Sequence, residues 1–97
     1  MKPKYFKYLD ISTAHMTKLD NERLKDGISA VICIPYEYGY RIHISKENHE
    51  EILMYMKEAG LSPDFIKIIE WAHKEGMDWV EFDADGTVYP HLEQHTW

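Results

Sequence analysis

The sequence predicts an α+β domain: a mixed, mainly antiparallel four-stranded sheet with three helices, in the order β-α-β-β-α-α-β. Three observations predict it. Four short segments rich in β-branched and aromatic residues read as strands, and three segments with caps and apolar residues at helical spacing read as helices. Two strands are joined by a tight turn, whereas the other two are reached only through helices. The 97 residues, 44% hydrophobic and 29% charged, suit a single domain spanning 1-97 with a core of its own.

The elements follow in order. "YFKYLDIS" (5–12) reads as a strand ending in the polar turn "STAH". Thr17 caps a short helix, "KLDNERLKD", with Asp20 as its reciprocal partner and Gly27 as its stop. "ISAVICIP" (28–35) is almost continuously apolar, which predicts a central strand covered on both faces, with Pro35 ending its ladder. "PYEYGY" turns the chain into "YRIHIS" (40–45), where Tyr40, Ile42 and Ile44 alternate with Arg41 and His43. A helix follows, with Asn48 and Glu51 as its capping pair and Ile52, Tyr55, Met56 and Ala59 as its buried stripe, up to Gly60. Ser62 then caps a further helix with Pro63 at its first position and Phe65, Ile68, Ile69 and Ala72 inward. "DWVEFDADGTVY" (78–89) gives a strand to Asp83, a turn over Ala84 to Gly86 and a short return.

Charge carries the first functional content. Residues 1–45 hold seven Lys/Arg against five Asp/Glu, and residues 46–97 hold four against twelve. From Glu75 onward there are six acids and no Lys or Arg. Direct nucleic-acid binding through that half is disfavoured, because phosphate neutralisation needs clustered cations, and a basic protein partner is favoured. Cys33 has no second cysteine to pair with and is expected to be a buried apolar residue. No signal peptide or apolar run of membrane-spanning length is visible, so a cytoplasmic protein without membrane contact is expected.

Two motifs invite chemistry. Asp83-Ala84-Asp85-Gly86-Thr87-Val88 follows a short apolar strand, the pattern by which haloacid dehalogenase-like enzymes present a nucleophilic aspartate and its partner acid. With eleven residues after Gly86, no downstream strands are expected to supply the remaining groups of such a site. The same letters make a good turn. Strand alternation buries Val80 and Phe82 and turns Trp79, Glu81 and Asp83 to the other face, with Asp85 continuing the line, so successive carboxylates stand about 6.7 Å apart. The second constellation is Asp10, Ser12, Thr13 and His15. It could serve acid-base chemistry, or bind Mg²⁺ together with Asp83 and Asp85, if the first and last strands are parallel neighbours. His91 and His95 have zinc-ligand spacing, but the tail after Pro90 reads as frayed rather than helical.

"YLDISTAH", "PYEYG", "FDADG" and a Leu and Trp bracketing the final residues together resemble a family of short uncharacterised proteins, a domain of unknown function encoded on bacterial plasmids, phages and integrative elements. The ending "LEQHTW" departs from that family's Leu-Pro and Asp-Trp endings. The resemblance implies a mobile-element setting and no particular activity.

These observations lead to a non-enzymatic, acidic protein-binding domain that needs no cofactor. It would occupy a basic surface on a host nucleic-acid-binding protein, as an anti-defence or regulatory factor. Its expected binding residues are Trp79, Glu81, Asp83, Asp85, Tyr36 and Tyr38. The alternative is a Mg²⁺-dependent hydrolase with Asp10, Ser12 and His15 as catalytic groups and His15, Asp83 and Asp85 as metal ligands. A homodimer paired through an open sheet face is compatible with either.

Overall fold

Alternation in short strands and caps on helices build this fold from local rules. The computed structural model describes all 97 residues. Its elements are β1 (Tyr8–Ser12), a 3-10 turn (Thr13–His15), α1 (Lys18–Asp26), β2 (Cys33–Tyr36), β3 (Gly39–His43), α2 (His49–Glu58), α3 (Pro63–Lys74) and β4 (Trp79–Asp83). The strand order is β1-β4-β3-β2. β1 and β4 are parallel, and the other two pairs are antiparallel. The architecture is the mixed, mainly antiparallel α+β sheet that the sequence predicts.

Period-two alternation puts Leu9, Ile11, Tyr40, Ile42, Val80 and Phe82 in one core with Leu24 of α1 and the apolar stripes of α2 and α3. Phe65 of α3 stacks on Phe82 of β4 with ring centroids 5.4 Å apart. Burying one such side chain contributes about 2 kcal/mol. The helices therefore cover one face of the sheet. On the other face, Tyr8, Asp10 and Arg41 are exposed and Trp79, Glu81, Asp83 and His43 half-buried.

Local caps hold as predicted in α1 and α3. Thr17 and Asp20 make a complete capping box, and Gly27 ends α1 at φ 83°. Ser62 caps α3 by accepting from the Phe65 N–H at 3.1 Å, with Pro63 in the first turn. Asp20 does more than its box requires. It is completely buried. Its Oδ1 accepts the Ser62 N–H at 2.7 Å, and its Oδ2 accepts the Thr17 N–H at 2.9 Å and the Ser62 hydroxyl at 2.7 Å. One carboxylate thus joins the start of α1 to the start of α3, its oxygens satisfied by donors rather than by a cation.

Several local expectations are corrected. The apolar run 28–35 is not a doubly covered central strand. Only Cys33–Tyr36 pairs, at the sheet edge, and Ile32 and Ile34 are exposed. Pro35 sits inside β2 opposite Tyr40, and its missing N–H suits an edge, where no further strand needs it. Ile28 and Val31 pack against the core from the preceding loop. Cys33 is half-buried, and burial pushes its thiol up to about 11. Asn48 makes no capping bond, because its side chain pairs with the Ser45 hydroxyl. In α2 Leu53 is buried in place of Tyr55, which is exposed. The first strand starts at Tyr8 rather than residue 5. The chain after Gly86 forms no return strand; it crosses to β1, where Thr87 C=O accepts the Ser12 N–H at 2.8 Å.

Candidate functional site

Parallel pairing of β1 with β4, in the register Ser12↔Asp83, brings the carboxyl ends of these strands side by side. The two turns of interest, 10–15 and 83–86, are therefore neighbours. In open α/β sheets this end of parallel strands is the usual place for ligands, so what each side chain does there decides the chemistry.

The side chains of the first turn are engaged internally. Ser12 is buried and its Oγ accepts the Ala14 N–H at 3.0 Å, capping the 3-10 turn. Asp10 Oδ2 accepts the Thr87 hydroxyl at 2.7 Å, and the Asp10 carbonyl accepts the Tyr89 hydroxyl at 2.7 Å. His15 is completely buried. Its Nε2 lies 2.9 Å from the Tyr89 N–H, which can only donate, so Nδ1 carries the hydrogen that reaches the Glu93 carbonyl at 2.8 Å. Both ring nitrogens are occupied. No Ser12–His15 bond forms to activate a nucleophile, and no group of three or more His, Cys, Asp or Glu side chains converges closely enough to hold a metal ion. The residues of the hydrolase alternative thus share one end of the sheet without pointing at a common centre.

The second turn is open. Asp83 Oδ1 accepts the Asp85 N–H at 2.8 Å, and its Oδ2 accepts the Tyr36 hydroxyl at 2.7 Å. Ala84 N–H donates to the Tyr38 carbonyl at 2.9 Å. These bonds stitch the β2–β3 hairpin end to the turn after β4, and Gly39 permits the approach, since a Cβ there would overlap the Phe82 carbonyl. The Tyr36 hydroxyl, and then the Asp85 N–H, hold the Asp83 carboxyl below its ordinary 3.8. Burial, and then the same bond to Asp83, push the Tyr36 phenol well above its ordinary 10. Glu37, Tyr38 and Asp85 remain exposed. Residues 36–38 and 83–86 thus form a tip with three acids, Glu37, Asp83 and Asp85, and no Lys or Arg. Beside it runs a cleft of about 470 Å³ bordered by Thr13, Lys25, Tyr36, Tyr38 and Trp97.

Further down the open face, the expected row of carboxylates is interrupted. Val80 and Phe82 point inward and Glu81 and Asp83 outward, as alternation requires, but Arg41 Nε meets Glu81 Oε1 at 2.7 Å. The Arg41 guanidinium also lies over Tyr36 at 5.2 Å and Tyr8 at 6.0 Å. Trp79 stands at the far end, stacked on Tyr8 at 6.3 Å and edge-on to His43 at 5.0 Å. Of the six expected binding residues, Tyr36, Tyr38, Asp83 and Asp85 gather at the tip. Glu81 is paired in the middle row, and Trp79 is two residues beyond it.

Sequence reasoning missed the tail. Residues 86–97 are docked rather than frayed. A Cβ at Gly86 would overlap the Ile11 carbonyl, so the chain crosses β1 at glycine. The His95 N–H reaches the Ala14 carbonyl at 2.7 Å, His95 Nε2 meets Asp64 at 2.9 Å, and Trp97 Nε1–H reaches the Met16 carbonyl at 3.0 Å. His91 sits edge-on to Trp71 at 4.9 Å. The available signal was the high aromatic and histidine content of a segment read as solvated.

The class defined by this geometry is a one-sided α+β domain: helices on one face of a four-stranded sheet, an open opposite face, and an acid-and-tyrosine tip at its end. No helix is long and apolar enough to cross a membrane. Residues 8–97 match the model of the C-terminal domain of a family of unknown function, DUF5983, and the chain belongs to that family. No curated protein and no solved structure matches the chain.

Proposed function

We propose that the chain is a non-enzymatic protein-binding domain of a bacterial mobile element. It acts in the cytoplasm as an anti-defence or regulatory factor that occupies a basic surface on a host nucleic-acid-binding protein. One observation carries the reading. At the tip Glu37 and Asp85 stand exposed and in no ion pair, beside Tyr36 and Tyr38, whereas Glu81 is paired with Arg41 and Asp78 with Lys46. Unpaired exposed carboxylates steer association with a basic patch, and the neighbouring tyrosines supply contact area at low entropic cost. The mobile-element setting rests on the sequence resemblance alone.

The test is capture on the immobilised chain from bacterial lysate, alongside calorimetry with a defined Lys/Arg-rich peptide. Glu37→Lys with Asp85→Lys should abolish both, because neither side chain holds the fold. Capture and peptide binding that survive this double reversal would sink the proposal.

A Mg²⁺-dependent hydrolase is the second reading, favoured by the Ser12↔Asp83 register that makes the two turns neighbours. Asp10, Asp83 and Asp85 offer the hard oxygens that Mg²⁺ takes; His15, enclosed by Tyr89 and Glu93, would have to break its bonds to join them. Calorimetric titration with Mg²⁺ decides it: absence of binding heat removes this reading.

A further inference from the structure

We infer that the open sheet face pairs with the same face of a second copy, around a two-fold axis that sets the acidic tip of each against the basic lead-in strand of the other. This rests on the reading of the tip as a surface for basic partners and names its resting occupant.

Three features lead there. The first is the polarity of the face. Its rows run Tyr8–Trp79–His43, then Asp10–Glu81–Arg41–Ile34, then Asp83–Gly39–Tyr36. The lead-in, residues 1–7, enters β1 at the Trp79 end and carries Lys2, Lys4 and Lys7 with no acid. At the opposite end the tip carries Glu37, Asp83 and Asp85, with Lys25 across the adjoining cleft. A two-fold contact must be self-complementary, and this charge arrangement is: three positive charges at one end oppose three negative at the other. Near the axis, Arg41 and Glu81 already pair within each copy at 2.7 Å, so the middle row brings no net charge to the contact.

The second feature is apolar surface with nothing to cover it. Tyr5 is 80% and Phe6 56% exposed, and the lead-in is anchored through the backbone of Lys7, bonded to Asp78 and Trp79. Ile32, Ile34 and Tyr8 are exposed on or beside the face itself. Third, both edges are partly blocked to strand addition. Thr87 and Tyr89 take the Ser12 N–H and the Asp10 carbonyl on β1, and Pro35 blunts β2. Association therefore favours the face.

Size sets the strength. Four strands of about five residues cover roughly 17 by 19 Å in plan, well short of the roughly 800 Å² per partner that stable interfaces bury. The lead-in must complete the contact, so the dimer should form with rising concentration and weaken with salt.

Sedimentation velocity on the full chain from micromolar to millimolar concentration tests this. The expected result is a shift from monomer to dimer that is reduced at high salt. A basic-end variant, Lys2→Glu with Lys4→Glu and Lys7→Glu, and a tip variant, Glu37→Lys with Asp85→Lys, should each stay monomeric. Mixed in equal amounts, they should dimerise again, because both contacts then join opposite charges. A monomeric wild type, including one whose lead-in folds back on its own face, overturns the inference; so does a mixture that stays monomeric, or variants that dimerise like wild type. Failure here can be told from failure of the protein-binding reading. A monomeric wild type that still captures the basic peptide sinks only the dimer, and a dimer whose basic-end variant captures nothing basic sinks only the protein-binding reading.

Discussion

The two turns at the carboxyl ends of β1 and β4 have similar letters and opposite fates. Asp-Ile-Ser-Thr-Ala-His is spent internally: Ser12 caps, His15 clamps the tail, and Asp10 holds Thr87. Asp-Ala-Asp-Gly spends one acid, Asp83, on its own geometry and leaves Asp85 in water beside Glu37. What separates them is the tail, which crosses β1 and covers the first turn only. Polar residues at a strand end therefore indicate a site only after their partners have been counted.

The comparison can be broken hardest at His15. His15→Ala leaves a cavity and strips the partners from the Tyr89 N–H and the Glu93 carbonyl, so we expect a loss of about 3 kcal/mol, read from denaturant unfolding. A loss under about 1 kcal/mol would mean that the tail is not clamped there. Ser12→Ala removes a cap and should cost about 1 kcal/mol, measured in the same way; a neutral result would assign the Ala14 N–H another partner.

At the open turn the effects move from stability to titration and charge. Tyr36→Phe removes the first-named cause of the Asp83 shift, so the Asp83 carboxyl should titrate closer to 3.8 when followed by carboxyl-carbon NMR. In the wild type, Asp83 is depressed by Tyr36 and the Asp85 N–H, and Asp78 by the Lys7 N–H and then Lys46. A carboxyl that is more acidic in the folded chain binds fewer protons there than in the unfolded one, so its contribution is complete above its unfolded value. Both contributions should be present at neutral pH and fade as pH falls below 3.8 through the lower folded values. The smallest effect on stability belongs to Glu37→Lys with Asp85→Lys, within about 0.5 kcal/mol of wild type; a larger loss would show that the tip is structural.

Legibility followed sequence distance. Alternation in Trp79–Asp83, the Thr17–Asp20 box and the Ser62–Pro63 start are written within a few residues of where they act, and each formed as read. Strand order, the Arg41–Glu81 pair 40 residues apart and the His15–Glu93 contact 78 residues apart depend on which elements meet, and no local pattern encodes that. Ile28–Pro35 misled for a related reason: an apolar run records that side chains leave water, and Ile28 and Val31 do so from a loop. For the site, alternation turned Glu81 and Asp83 to the correct face. It could not reveal that Arg41 would neutralise one of them and leave the other at the tip.

Asp20 has a consequence for how the chain can be cut. Its bonds to Ser62 span 42 residues in a chain whose single cysteine rules out an intrachain disulfide, so it acts as a noncovalent crosslink closing a long loop. A permuted chain opened at the exposed Ser29–Ala30 bond, with its old ends joined by a linker, keeps that crosslink and should refold, whereas a fragment ending before Ser62 loses it together with α3 and β4 and should stay unfolded.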